Sequence, residues 1–182
     1  MPVIDFDPPD RFVADSVGPA GQRTFFVQAV KGSQVMTVSL EKEQVRLLGE
    51  SLVELLNEMA GAVADHPDEA ELPDRAPLQN PIEEDFRARQ LSLAWDEDTR
   101  RVNIEASDRE PVDEDEDEPA EPDSADPIGF QGIRVSLPVG MARGFAARCE
   151  DSMTGGRPNC PFCGGPLDPT GHICPRANGY RR

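Results

Sequence analysis

Apolar and polar residues alternate with a period of two along several short stretches, a pattern typical of half-buried β-strands. Between 34 and 40, the residues Met36, Val38 and Leu40 fall on one face. Stretches rich in β-branched and aromatic residues give the same indication elsewhere. The pattern predicts strands at 11–16, 23–30, 34–40, 86–95, 101–106 and 133–137.

Two further stretches follow a helical period. Over residues 41–60 the apolar positions recur every three or four residues, which predicts an amphipathic helix; they are Val45, Leu48, Leu52, Leu55, Leu56 and Met59. A second helix is predicted after Pro138, a residue suited to the first helical position. On it Met141, Phe145 and Cys149 share one face. We expect both apolar faces to pack into the core.

The two halves of the chain resemble each other. Thr37-Val-Ser-Leu leads into the first helix and Arg134-Val-Ser-Leu into the second, 97 positions later. The same offset matches Val45 with Ala142, Leu48 with Phe145 and Leu52 with Cys149. We therefore predict an α+β core over 1–150 with two ββ(β)α units forming an antiparallel sheet with two helices.

Charge and composition separate linkers from the core. The 182 residues carry a formal net charge of −17, which disfavours nucleic acid and anionic lipid as partners. Residues 108–126 contain eleven Asp or Glu and one Arg. Such a segment cannot bury enough apolar surface to offset its ordering entropy, so 108–127 is predicted to be a disordered acidic insertion. The stretch 61–82 is predicted to be a linker.

Three of the four cysteines lie near the C-terminus, in a pattern typical of a structural zinc site. Cys160 and Cys163 form a Cys-x2-Cys turn, and His172 and Cys174 follow a Gly- and Pro-rich reversal. Structural zinc binds four tetrahedral Cys or His ligands. The tail 151–182 is therefore predicted to be a zinc knuckle with these four ligands, and four ligands leave no open position for catalysis.

Other interpretations of the cysteines are less favoured. A disulfide needs an oxidising compartment, and the N-terminus lacks the basic start of a signal peptide, so a cytoplasmic protein with reduced thiols is expected. A redox Cys-x-x-Cys motif belongs in a βαβ context. Cys149 could replace His172 as the fourth ligand, but its place on a helix face favours an inert buried thiol.

Several segments resemble a known family. They are Asp7-Pro-Pro-Asp-Arg-Phe-Val13, Thr24-Phe-Phe-Val-Gln-Ala29, Leu40-Glu-Lys-Glu-Gln-Val45 and the motif from Cys160 to Tyr180, of the form CPxCGxPxDPxGHxCPRxNGY. They are similar to an actinobacterial family labelled only as a domain of unknown function. The resemblance implies a cytosolic protein of about this size, encoded near a phosphatase-like and a lipid-kinase-like protein. It implies no activity.

The sequence favours a non-catalytic binding or adaptor module with a protein partner and leaves a small-molecule substrate open. An enzyme is the first alternative, with Asp5, Asp7, Asp10 and Arg11 as candidate site residues, although a solvated charged turn is the commoner use of such residues. The second alternative is nucleic-acid binding through the knuckle and its arginines, Arg157, Arg176, Arg181 and Arg182.

Overall fold

A computed structural model describes residues 3–59, 74–110, 130–154, 160, 162–163, 174 and 176. Its elements, in chain order, are β1 (Val3–Phe6), β2 (Arg11–Val17), β3 (Thr24–Lys31), β4 (Gln34–Leu40), α1 (Lys42–Glu58), β5 (Phe86–Arg87), β6 (Gln90–Asp96), β7 (Arg101–Ser107), β8 (Gly132–Leu137) and α2 (Val139–Thr154). The predicted α+β class is confirmed. Within the described residues no helix is both long and apolar enough to cross a membrane.

The strands form two four-stranded sheets, which we call sheet I and sheet II. Sheet I has the order β2-β3-β4-β5 and sheet II the order β1-β8-β7-β6. Each contains an antiparallel run of three strands, as the alternation predicts. The expectation of a purely antiparallel sheet is wrong, because β5 pairs parallel to β4 and β1 pairs parallel to β8.

Each half of the chain contributes one parallel strand to the sheet formed by the other half. β1 precedes β2 in sequence but joins sheet II, whereas β5 precedes β6 but joins sheet I. Phe6 pairs with Val135 and Phe86 with Val38, and these two valines are separated by the same 97 positions as the sequence repeat. Phe6 and Phe86 therefore occupy equivalent buried positions, and each sheet is completed by a strand from the other half.

The core lies between the inner faces of the sheets and the helices. Side chains of both sheets and of α1 line one small internal cavity, among them Phe12, Val38, Leu48 and Val135. The rings of Phe12 on β2 and Phe145 on α2 stack with centroids 4.4 Å apart. These contacts join the two halves into one hydrophobic core.

The helices α1 and α2 pack closely at Gly49. A Cβ atom at this position would lie 2.8 Å from the Cβ of Cys149, which is closer than real Cβ contacts allow. Mid-helix glycine costs about 1 kcal/mol relative to alanine, so the close approach is the physical reason for this residue. Cys149 is buried as predicted, and burial raises the pKa of its thiol to about 12.

The described part of the predicted linker, 74–82, has no regular secondary structure. It lies against the outer face of sheet I, where it contacts Gln28 and Arg11. Leu78 is buried there, and the side-chain amide of Gln28 exchanges two hydrogen bonds with the backbone of Gln79, at 2.7 and 3.2 Å. We call residues 74–82 the strap. Of the predicted acidic insertion, 108–110 are described and 111–127 lie outside the described residues.

Candidate metal centre

Three C-terminal cysteines converge on one point. The Sγ atoms of Cys160, Cys163 and Cys174 all lie within 4.8 Å of one another. The Sγ atoms of Cys160 and Cys174 are 3.9 Å apart. This distance is far longer than the disulfide bond length of about 2.05 Å, and the cysteines are free thiols. The cluster could therefore hold a metal ion.

The turn after Cys160 directs backbone donors at its sulfur. Burial raises the pKa of the Cys160 thiol, but hydrogen bonds from the backbone N–H groups of Cys163 and Phe162, and from the side chains of Cys163 and Cys174, outweigh it. The net effect is a pKa below the usual value. A metal-binding cysteine must be deprotonated, so these donors stabilise the form that binds.

Arg176 connects the two arms of the cluster. Its Nη1 donates a hydrogen bond of 3.3 Å to the carbonyl oxygen of Phe162, in the turn between Cys160 and Cys163. Arg176 itself lies two residues after Cys174. The guanidinium therefore links both cysteine-bearing segments. Contacts of this kind hold metal ligands in position.

The sequence offers two candidates for the fourth ligand, His172 and Cys149. His172 lies outside the described residues, so it stays a prediction. Cys149, the alternative fourth ligand, packs against Gly49 in the helix pair and is not part of the cluster among the described cysteines. The donor set that the structure brings together is three thiols, a set that favours thiophilic metals such as Zn²⁺.

The three acidic candidates for an enzyme site, which lie near β1 and β2, each contact a different partner. Asp5 lies 3.5 Å from Arg134, and the carboxylate of Asp7 pairs with Arg101. Asp10 accepts a hydrogen bond of 2.6 Å from the backbone N–H of Gly32, in the turn between β3 and β4.

Arg11, the fourth candidate, joins a different group that the sequence does not indicate. It binds the carboxylate of Asp74 in the strap and donates a hydrogen bond of 2.7 Å to the carbonyl oxygen of Ala76. The Arg11 guanidinium holds the pKa of Asp74 below its usual value. On the neighbouring helix α2, Arg148 lies 2.5 Å from the carboxylate of Asp15. These ion pairs fasten the strap and α2 to the edge of sheet I.

Comparison with protein-family models shows which family this chain belongs to. The model of one family, described as a protein of unknown function (DUF3090), matches residues 4–174. The chain belongs to this family. The DUF3090 match covers both halves of the core and all three clustered cysteines. Neither the curated proteins nor the solved structures give a match.

Proposed function

We propose that Cys160, Cys163 and Cys174, together with His172, hold one structural Zn²⁺ ion. The observation that carries this proposal is the spacing of the sulfurs. In a tetrahedral site with Zn–S bonds of about 2.3 Å, two sulfurs lie about 3.8 Å apart. The Sγ atoms of Cys160 and Cys174 are 3.9 Å apart.

A closed zinc site supports a role in binding. Four protein ligands leave no position for a metal-bound water, which catalytic zinc needs. Three thiolates and a neutral histidine around a dication give the centre a net charge of about −1, which the nearby Arg176 partly offsets. We propose a non-catalytic adaptor in the cytoplasm, in which the metal organises the tail as a recognition surface for another protein.

The metal is tested on protein purified without chelator. Elemental analysis should give one zinc per chain, and Cys160→Ser with Cys163→Ser should remove it. The matched control is Cys149→Ala, which removes a buried cysteine outside the cluster and should leave the zinc content unchanged. Equal zinc content in the double variant and the control would overturn the proposal.

The adaptor role is tested by affinity capture from native cytosol, comparing the wild-type chain with the Cys160→Ser, Cys163→Ser double variant. The wild type should retain a specific protein that the double variant and a chelated sample lose. Identical retention by all three would show that the metal site is not the recognition surface. A measured turnover that chelation abolishes and zinc restores would show an open coordination site and contradict a non-catalytic role.

A further inference from the structure

We propose that the groove between α1 and α2 docks a basic amphipathic helix of a partner protein. The groove lies on the outer side of the helix pair and has a volume of about 540 Å³. Its floor is formed where the helices meet, at Gly49, Ala146 and Cys149. This inference does not depend on the metal centre.

An exposed apolar side chain faces the groove without being part of the core. It is Val53 on α1, which is 48 % exposed, while Met153 borders the groove from α2 and also packs against the core. The core-facing positions of α1 are already filled by buried residues such as Leu48 and Leu52. Valine is also a weaker helix former than glutamate or lysine, so helix stability does not explain Val53 at an exposed position.

The rim of the groove is acidic. Glu50, Glu54 and Glu150 surround the apolar floor. Among the described residues that line the groove, the one cation is Arg46, which already binds Glu43 at 3.0 Å and Glu50 at 2.6 Å. Among the residues that the structure describes, Glu54 and Glu150 take part in no ion pair. An occupant that buries apolar side chains here must therefore bring positive charges to the rim.

The shape of the groove indicates a helix. Two helices packed side by side present a furrow, and a third helix lays its apolar face into such a furrow through residues at i, i+3, i+4 and i+7. The exposed valine supplies an apolar contact on one wall and Met153 one on the other. Lysine or arginine residues flanking the apolar stripe of the ligand would meet Glu54 and Glu150. A second copy of this chain would bring its own acidic rim and is disfavoured.

The probe for this site is a synthetic 16-residue helical peptide with leucine along one face and lysine on both flanks. Titration into ¹⁵N-labelled protein should shift the amide signals of Gly49, Val53 and Ala146 in a saturable manner. A peptide of the same composition with dispersed leucines should not bind saturably, and a peptide with glutamate in place of lysine should not bind at all. Addition of a chelator should leave the binding unchanged.

Two matched variants separate docking from unspecific charge attraction. Val53→Glu should weaken binding about tenfold, as expected for the loss of an apolar anchor. Leu47→Glu is the control, because Leu47 lies on the same helix, is also 48 % exposed and does not line the groove. Both variants add the same negative charge. Glu54→Gln with Glu150→Gln should slow association and weaken its dependence on salt.

Several results would overturn the proposal. Binding that does not saturate is one, and equal effects of Val53→Glu and Leu47→Glu are another. Tighter binding by Val53→Glu is the third, because it would show that charge alone attracts the peptide. Sedimentation tests whether a second copy of the chain occupies the groove. A concentration-dependent dimer that Val53→Glu dissociates and Leu47→Glu does not would identify a second copy as the occupant.

Discussion

Polar residues occupy equivalent positions on the outer faces of the two sheets, but these positions are buried in sheet I and partly exposed in sheet II. In sheet I, Gln28 is 0 % exposed, and its side-chain amide donates a hydrogen bond of 3.1 Å to the hydroxyl of Thr37. The backbone register makes Glu105 and Arg134 of sheet II their equivalents, because Gln28 pairs with Thr37 and Glu105 with Arg134. Those two side chains form an ion pair at 2.6 Å, and that of Glu105 is 46 % exposed.

The strap explains this difference. On sheet I it excludes water from Gln28, so a neutral amide that binds both Thr37 and the Gln79 backbone is suitable there. Burying a charge without a partner is far more costly than burying a hydrogen-bonded neutral group. On sheet II the equivalent positions reach solvent, and a carboxylate with a guanidinium is tolerated. The comparison indicates that burial, and not strand geometry, decides which polar residues the two halves carry.

The largest effect is expected from the strands that the two halves exchange. Phe6→Ala should lower the free energy of unfolding by about 3–5 kcal/mol, and Phe86→Ala by a similar amount, because both rings are buried at equivalent positions. Chemical denaturation measures both. Val17→Ala, at an exposed strand position, serves as the control. A negligible effect of either phenylalanine variant would show that the strand it belongs to does not complete the sheet.

A reciprocal substitution tests the comparison directly. Gln28→Glu should destabilise the fold by about 3 kcal/mol or more at pH 7, because it buries a charge and leaves the Gln79 carbonyl without its donor. Glu105→Gln, the matched change in sheet II, should cost at most about 1 kcal/mol, as expected for an exposed ion pair. Similar losses for the two variants would show that burial does not decide which polar residues these positions carry.

The loss of stability in Gln28→Glu should change with pH in a defined direction. Burial raises the pKa of a glutamate above its unfolded value of about 4.3, so the folded variant binds more protons than the unfolded one. The stability deficit should therefore shrink as the pH falls toward 4 and grow as the pH rises. Denaturation between pH 4 and pH 8 measures this trend, and a deficit that does not change with pH would mean that the side chain reaches water.

A smaller effect is expected at the anchor of the strap. The pKa of Asp74 is lowered by Arg11, so its contribution is present above the unfolded pKa of about 3.9 and is lost as the pH falls through and below that value. Asp74→Asn should lower the free energy of unfolding at pH 7 by at most about 1 kcal/mol, because solvent screens this partly exposed pair. The difference from wild type should disappear near pH 2. A difference that persists there would assign another role to Asp74.

The sequence predicted the long strands and both helices because their apolar periodicity extends over six or more residues. It missed β1, and it merged β5 with β6 in one predicted strand over 86–95. With four and two residues, β1 and β5 are too short to show a period, and both depend on parallel pairing with a distant strand. The strap was missed for a similar reason, since the contact of Arg11 with Asp74 spans 63 positions.

The convergence of three cysteines was predictable because they are close in sequence and chemically rare. Cys160, Cys163 and Cys174 lie within fifteen residues, and the structure brings their sulfurs together. The acidic residues near β1 illustrate the opposite case. Aspartate is common on surfaces, so the closeness of Asp5, Asp7 and Asp10 in sequence gave no information on their separate contacts. For the helix pair, Gly49 in the middle of a leucine-rich helix is the signal of close packing that the sequence offered.

The most direct test of the proposed zinc centre is X-ray absorption at the zinc edge on protein purified without chelator. A closed structural site should show four-coordinate zinc with three sulfurs at about 2.3 Å and one nitrogen at about 2.0–2.1 Å. Cys160→Ser with Cys163→Ser should abolish this signal, and His172→Ala should remove the nitrogen alone. A first shell of oxygen and nitrogen without sulfur, or a fourth position occupied by water in the wild type, would contradict a closed structural site at these cysteines.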